Sequence, residues 1–352
     1  MTTGIATHVI PVGDPSAAGE ARRSAVSLAA DLGFGETRRG EVAIVVTEAA
    51  RNLAIHARGG ELLLRSLRAG EAVGIEVLAV DTGPGMTDPE RCRRDGYSTA
   101  GTSGIGLGSM ERLSAAFDLH TAPDHGTVVL CRLWRDRPPP PGGWEVGVVA
   151  VPMPGETVSG DGWGVVQTPE RSVAMVADGL GHGPIAREAS AEVERVFREH
   201  AERPAGEILE QMHGPLRSTR GASVSVAVCD RRAGVLTFAG VGNVAGLVLA
   251  GGQVRSAVSH NGTLGHQVRK IQEFTYPFPP GSTLVMHSDG LNSQTRPDAH
   301  PGLPLRSPPV IAGVLYRDFR RGRDDATVLV ARDSEPGGGG PAPEASGEGG
   351  PR

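Results

Sequence analysis

Arg135-Asp136-Arg137-Pro138-Pro139-Pro140-Pro141-Gly142-Gly143 divides this chain in two. Four consecutive prolines hold the backbone extended and withhold amide donors, so neither a helix nor a central strand can cross them. The glycines that follow restore freedom. The stretch predicts a spacer at residues 137–143 between two folded bodies, residues 1–136 and residues 144–333. With 352 residues, 39% of them hydrophobic and 21% charged, each body can bury a core of its own. The net charge of -5 speaks against a nucleic-acid partner, which calls for a basic excess. Cys92, Cys131 and Cys229 lie far apart with no CxxC pair, which points away from a disulfide framework and toward a reducing cytoplasm. No run approaches ~18 apolar residues, and the first residues lack a basic start followed by an apolar core, so neither a membrane span nor a signal peptide is expected. Residues 334–352, rich in Gly, Pro, Glu and Ser, are expected to be disordered.

In the first body, residues 5–12 predict a strand and residues 21–32 a helix, broken at Gly33-Phe34-Gly35. The next helix, residues 36–57, is the informative one. Val42, Val45, Val46, Ala49 and Leu53 form its apolar stripe. Glu48, Asn52 and His56 fall one turn apart on an adjacent face. A carboxylate one turn before an amide can position a nucleophile beside a metal-bound phosphate; a pair of this kind in isolation is more often a solvated helix edge. Residues 62–67 and 73–80 predict a strand pair that ends in Asp81-Thr82-Gly83-Pro84-Gly85. An aspartate there can accept a hydrogen bond from an adenine amino group, while Gly83 and Gly85 let the backbone turn beside the base. Gly101 to Gly108 is glycine-rich and opens a predicted helix over residues 109–117, an arrangement that offers free amides to phosphate. No Gly-Lys-Ser/Thr follows, which excludes a P-loop. The glycines come too late in the chain for a dinucleotide fingerprint. A strand over residues 126–134 closes the body.

This order of parts, Glu48/Asn52, Asp81-x-Gly83-x-Gly85, Gly104-x-Gly106-x-Gly108 and Gly126-Thr127, resembles the histidine-kinase-like ATPase family. Within that family it is similar to the small serine kinases of bacterial anti-sigma and stressosome partner switches. The resemblance covers nearly all of residues 5–134 and implies an α/β sandwich with ATP held between helices and sheet. It implies that Asn52 holds magnesium, Glu48 is the catalytic base, Asp81 reads adenine, Gly104, Gly106 and Gly108 form the phosphate lid, and Thr127 closes the adenine pocket. No phospho-acceptor histidine helix is present, which speaks against a two-component sensor kinase.

The second body reads as short strands with tight turns: residues 144–151, 172–177, 222–229, 234–238, 244–249, 254–258, 282–288 and 326–331, with helices over 184–200 and 205–212. Acidic corners sit at strand ends: Asp161, Asp178, Asp289 and Asp324/Asp325. A lone Asp-Gly is usually a turn. A set of such corners in one body suits hard cations, and two of these can clamp a phosphoryl group for in-line attack. Ser159-Gly160-Asp161, Ala177-Asp178-Gly179, Ser288-Asp289-Gly290 and Asp324-Asp325-x-Thr327 resemble the metal-dependent serine/threonine phosphatases, in particular the bacterial sporulation stage II E branch. That resemblance implies a four-layer α-β-β-α sandwich. It implies two manganese or magnesium ions on Asp161, Asp178, Asp289, Asp324 and the Gly179 carbonyl, with Asp178 and Asp289 central to catalysis. Two positions depart from the pattern: Gly164 stands where many branch members carry a second aspartate, and Leu180 where larger relatives from other branches carry a histidine.

The fold expected is therefore a two-domain α/β (α+β) chain. The expected function is a cytoplasmic, bifunctional regulator. Its kinase half would phosphorylate a serine or threonine of a small antagonist-type or scaffold protein, and its phosphatase half would hydrolyse phosphoserine or phosphothreonine on a related target, in a sigma-factor or stress pathway. In the alternative, the first body binds ATP without transferring phosphate and sequesters a partner such as a sigma factor. In a second alternative, the second body is a metal-free scaffold.

Overall fold

The computed structural model describes residues 2–3, 7–57, 59–93, 106–140 and 142–333. Gly104 and the expected disordered tail lie outside the described residues. In the first half, β2 (His8–Val12) leads to α1 (Ala17–Asp31) and α2 (Glu36–His56). β3 (Gly60–Ala69), β4 (Ala72–Val80), the short α3 (Pro89–Arg93), α4 (Gly106–Leu113), β5 (Ala116–Thr121) and β6 (Thr127–Trp134) follow. The sheet is antiparallel in the order β2-β3-β4-β6-β5. The stripe read from the sequence is the buried one: Val42, Val45, Val46, Ala49 and Leu53 of α2 pack with α1's alanines on Leu62, Leu64, Ile75 and Val77.

One local expectation is corrected. The helix expected over residues 109–117 stops at Leu113, and Phe117 sits in β5 opposite Cys131. The segment from Ala116 to Thr121 gains a full ladder against β6. The tight reversal it needs is provided by Asp124 and Gly126, both at positive φ.

In the second half, β7 (Trp144–Val151), β8 (Asp161–Gln167) and β9 (Arg171–Gly179) precede α5 (Gly183–His200) and α6 (Ala205–His213). Then come β10 (Ala222–Asp230), β11 (Val235–Val241), β12 (Ala245–Ala250), β13 (Gln253–Ala257), β14 (Phe274–Pro277), β15 (Thr283–His287), α7 (Pro308–Phe319) and β16 (Ala326–Asp333). One sheet runs β8-β9-β10-β11-β14 and gains β1 (Thr2–Thr3) at its edge; the other runs β13-β12-β15-β16-β7. Trp163, Val176 and Phe238 from the first meet Val148, Met286 and Leu329 from the second. α5 and α6 bury Val193, Phe197 and Leu209 on the other face of the first sheet.

Helix α7 joins the halves. Every residue from Pro308 to Tyr316 is buried. A helix apolar on all sides needs cover on all sides, and α7 has it. One face packs on β7 and β16, the other on β4 and β6, and one core unites Val149, Val328, Ile311 and Val314 with Leu63, Leu78, Val80 and Leu130. Polar contacts frame this core. Glu61 accepts from Tyr316 Oη at 3.0 Å and from Arg320 Nη2 at 2.9 Å, and Asp118 accepts from the Ser307 amide and hydroxyl, both at 2.8 Å. A buried row, Arg65–Glu76–Arg132, crosses β3, β4 and β6 at 2.6 and 2.8 Å. Its ends reach the second half, Arg65 over the Trp163 ring at 5.5 Å and Arg132 donating to the Val146 carbonyl at 2.7 Å.

Candidate active sites

The first site is a cavity of ≈ 500 Å³ between α2, α4 and the sheet, a size suited to a small ligand. Its walls include Glu48, Asn52, Asp81, Gly85, Gly106 and Thr127, so most of the residues named from sequence share one space. Asp81 ends the buried strand β4. Its Oδ1 accepts from the amides of Gly83 at 2.8 Å and Thr127 at 3.1 Å. One oxygen is thus committed to the backbone and the other is free of these bonds. Burial raises the Asp81 pKa, while the two amides and the positive charge of Arg317 oppose that rise.

The glycines have steric reasons. A Cβ on Gly83 would stand 2.7 Å from Ala57 Cα, and one on Gly85, at φ +67°, would collide with the Ala122 carbonyl. A Cβ on Gly106 would lie 3.0 Å from Glu48 Oε2 and 3.5 Å from Asn52 Oδ1, so the start of α4 lies against the carboxylate–amide pair. Gly108 is buried within α4. Thr127 Oγ1 bonds Thr121 Oγ1 at 3.0 Å, and Thr121 Oγ1 accepts from the Met86 amide at 2.9 Å. The wall residues without a sequence signal include Arg51, 3.6 Å from Glu48, and Ile55. Ala79, Met86, Met110 and Val129 supply an apolar slot. That slot, the spare Asp81 oxygen and the Glu48–Asn52 pair fit a purine nucleotide with its metal.

The second site is acidic. β8 and β9 pair in a register that sets Asp161 directly opposite Asp178, and such cross-strand neighbours interact strongly. Asp178 is pushed up to about 9, first by burial and then by the charges of Asp161, Asp289, Asp324 and Asp325. Asp161 is pushed up to about 7 by burial, against the stabilising hydrogen bond from Ser288 Oγ at 2.7 Å. The charges of Asp161, Asp289, Asp324 and Asp325 thus all reach Asp178. Of the residues that hold these aspartates, Ser288 and Thr327 stand in the quoted motifs, and Asn243 carried no signal in spacing. Asn243 Nδ2 donates to Asp289 at 2.8 Å, and Ser288 Oγ in turn accepts from the Thr327 amide at 3.0 Å. Asp325 accepts from the amides of Met153 at 2.8 Å and Gly160 at 2.9 Å, which occupies both its oxygens. Asp324 is committed only to the amide of Asp325. The Gly179 amide donates to the Gly160 carbonyl at 3.3 Å. His182 pairs with Glu156 at 2.8 Å.

Among the described residues, no three His, Cys, Asp or Glu side chains are drawn together closely enough to hold an ion by themselves. The donor set still fits a hard divalent cation. It is all oxygen, its carboxylates repel one another, and magnesium commonly takes only one or two carboxylates and keeps several waters. No helix among the described residues is long and apolar enough to cross a membrane.

Comparison with known proteins divides along the same line. The family model for the histidine kinase-like ATPase domain matches residues 12–133, and that for stage II sporulation protein E (SpoIIE) matches residues 168–333. The chain is 31% identical over 114 residues to serine/threonine-protein kinase RsbT of Bacillus subtilis (strain 168), spanning 32% of this chain and 86% of RsbT. It is 27% identical over 139 residues to phosphoserine phosphatase RsbX of the same organism, spanning 39% of this chain and 70% of RsbX. The crystal structure of RsbX in complex with magnesium superposes with a TM-score of 0.50 at 25% identity, over 56% of this chain and 98% of RsbX.

Proposed function

Because the chain belongs to the histidine kinase-like ATPase family through an RsbT-like first half, and carries an RsbX-like SpoIIE phosphatase domain in its second, we propose that it is both arms of a partner switch in one polypeptide. The kinase domain spans residues 1–136 and the phosphatase domain residues 144–333, the latter a four-layer α-β-β-α sandwich with α5 and α6 outside one sheet and α7 outside the other. The protein acts in the cytoplasm on a small antagonist-type or scaffold phosphoprotein.

In the kinase half, Asp81 accepts from the adenine amino group and Asn52 holds magnesium on the phosphates. Glu48 takes the proton from a partner serine or threonine hydroxyl as that oxygen bonds the γ-phosphorus and ADP leaves. In the phosphatase half, Asp161, Asp178, Asp289, Asp324 and the Gly179 carbonyl would hold two manganese or magnesium ions. Such ions supply a nucleophilic water at neutral pH and neutralise phosphoryl charge. Asn243 and Ser288 fix the directions of Asp289 and Asp161, and Asp325 braces the surrounding backbone.

The observation that carries this reading is the pairing of Asp161 with Asp178 across β8 and β9 in the same chain as a cavity walled by Glu48, Asn52 and Asp81. Kinase activity is tested in full-length Asp178→Asn protein, which cannot remove what it adds. Labelled ATP should place label on a serine or threonine of the partner, and a further Glu48→Gln change should abolish transfer while ATP still binds. ATP binding with no label on any partner would favour the sequestering module instead. Wild-type protein with manganese should release phosphate from the labelled partner, and Asp178→Asn should slow this by about 100-fold or more. An unchanged rate removes the phosphatase assignment.

A further inference from the structure

Arg317 stands in helix α7 of the phosphatase half, yet its guanidinium reaches the backbone of Asp81, a wall residue of the nucleotide cavity. Its side chain is 3% exposed. Nε and Nη2 grip the Asp318 carboxylate at 2.6 and 2.8 Å, and Nη1 donates to the main-chain carbonyl of Asp81 at 3.2 Å. A buried arginine is costly unless its donors are met, and here one of them is met by the residue that faces the purine.

With that bond, Asp81 is fixed at each of its other polar groups. Its amide donates to the Thr127 carbonyl at 2.9 Å, and its Oδ1 accepts from two amides. Its carbonyl lies beneath Gly126, where any Cβ would collide with it. Only Oδ2 remains for a ligand. We propose that Arg317 is a positioning residue for purine selection, supplied to the kinase pocket by the phosphatase half. This rests on the nucleotide reading of the cavity and deepens it.

The chemistry follows from charge. An ionised Asp81 accepts a hydrogen bond from the 6-amino group of adenine and repels the 6-oxo group of hypoxanthine. Burial raises the Asp81 pKa, and the two amides and then the Arg317 charge oppose that rise. The guanidinium also holds the Asp81 backbone, so the direction of Oδ2 depends on it. An Asp-x-Gly-x-Gly turn without this arginine would present a less firmly fixed carboxylate.

The test is titration of the full chain with ATP and, separately, with inosine triphosphate, followed by calorimetry. Wild type should prefer ATP by about tenfold or more, as expected where one hydrogen bond to a charged group is lost and a repulsion gained. Arg317→Ala should cut that preference to within about threefold of unity, mainly through weaker ATP binding. A merely structural role would lower the melting temperature and weaken both nucleotides alike, leaving the ratio at its wild-type value; that result overturns the proposal. If Arg317→Ala does not fold, the pair Arg317→Met with Asp318→Asn removes both charges together and carries the same test. Wild type that binds neither nucleotide would instead sink the nucleotide reading of the cavity.

Discussion

The Asp324-Asp325 dipeptide shows how far single residues can be read. Two adjacent acids at a strand entrance are equivalent in sequence. The fold separates them, because both oxygens of Asp325 hold amides, those of Met153 and Gly160. Asp325→Ala should cost about 3 kcal/mol of stability, since it leaves two buried donors unmet. Asp324→Asn should leave the melting temperature nearly unchanged and weaken manganese binding in calorimetry. Gly290 was legible as a turn residue, but its real constraint was not: a Cβ there would collide with the Asp325 carbonyl. The acidic centre also sets a pH dependence. Asp178 at about 9 and Asp161 at about 7 hold protons in the folded state that the unfolded chain releases near pH 4. Between those limits the native state binds more protons, so the stability of the metal-free protein falls as pH rises from about 4 toward 9. Melting in EDTA should therefore drop between pH 6 and pH 9, and added manganese should restore more stability at the higher pH.

Elements with a clear period were legible, and those whose partners lie far away were not. The α2 stripe was readable because its buried positions recur at helical spacing. Most strands of the second half announced themselves through apolar runs closed by turn residues, but β8 and β14, with few apolar residues in a row, did not. α7 gave no such contrast: Pro-Pro-Val-Ile-Ala-Gly-Val-Leu-Tyr has no polar face, and nothing in the sequence says what would cover it. A second signal went unused. β4 and β6 are nearly continuous apolar runs, which marks strands buried on both faces, and only one face is met by α1 and α2. Two glycines let α7 into the gap. A Cβ on Gly147 would collide with Pro309, and one on Gly313 would lie 2.9 Å from Val128 Cγ1. Gly313→Leu should force α7 off the kinase sheet, and differential scanning calorimetry should show one transition becoming two. Gly313→Ala should be mildly destabilising, by about 1 kcal/mol, because overpacking against the buried, β-branched and therefore stiff Val128 outweighs the gain in helix propensity.

At the scale of the molecule, the halves share a core and are not independent beads on a proline string. Residues 1–136 expressed alone would expose Leu63, Leu78, Val80, Val128 and Leu130, and would strip the Arg65–Glu76–Arg132 row of its cover. That fragment should bind a hydrophobic dye and self-associate on gel filtration, whereas the full chain should not. Glu76 adds an acid limit. Its burial would raise its pKa, but Arg65 and Arg132 together hold it below the ordinary glutamate value. The stabilisation is thus complete above about pH 4.5 and is lost as pH falls through the lower folded value; tryptophan fluorescence of Trp163 and Trp134 during acid titration should follow it. The edge strand β1 has a last consequence. Thr2 and Thr3 pair with Val165 and Gly164 of the phosphatase sheet, so the kinase fold is fastened to its neighbour at its entry as well as at its exit. A protease that severs the peptide between Arg137 and Gly143 should release nothing. The two fragments should travel as one particle and come apart only in denaturant.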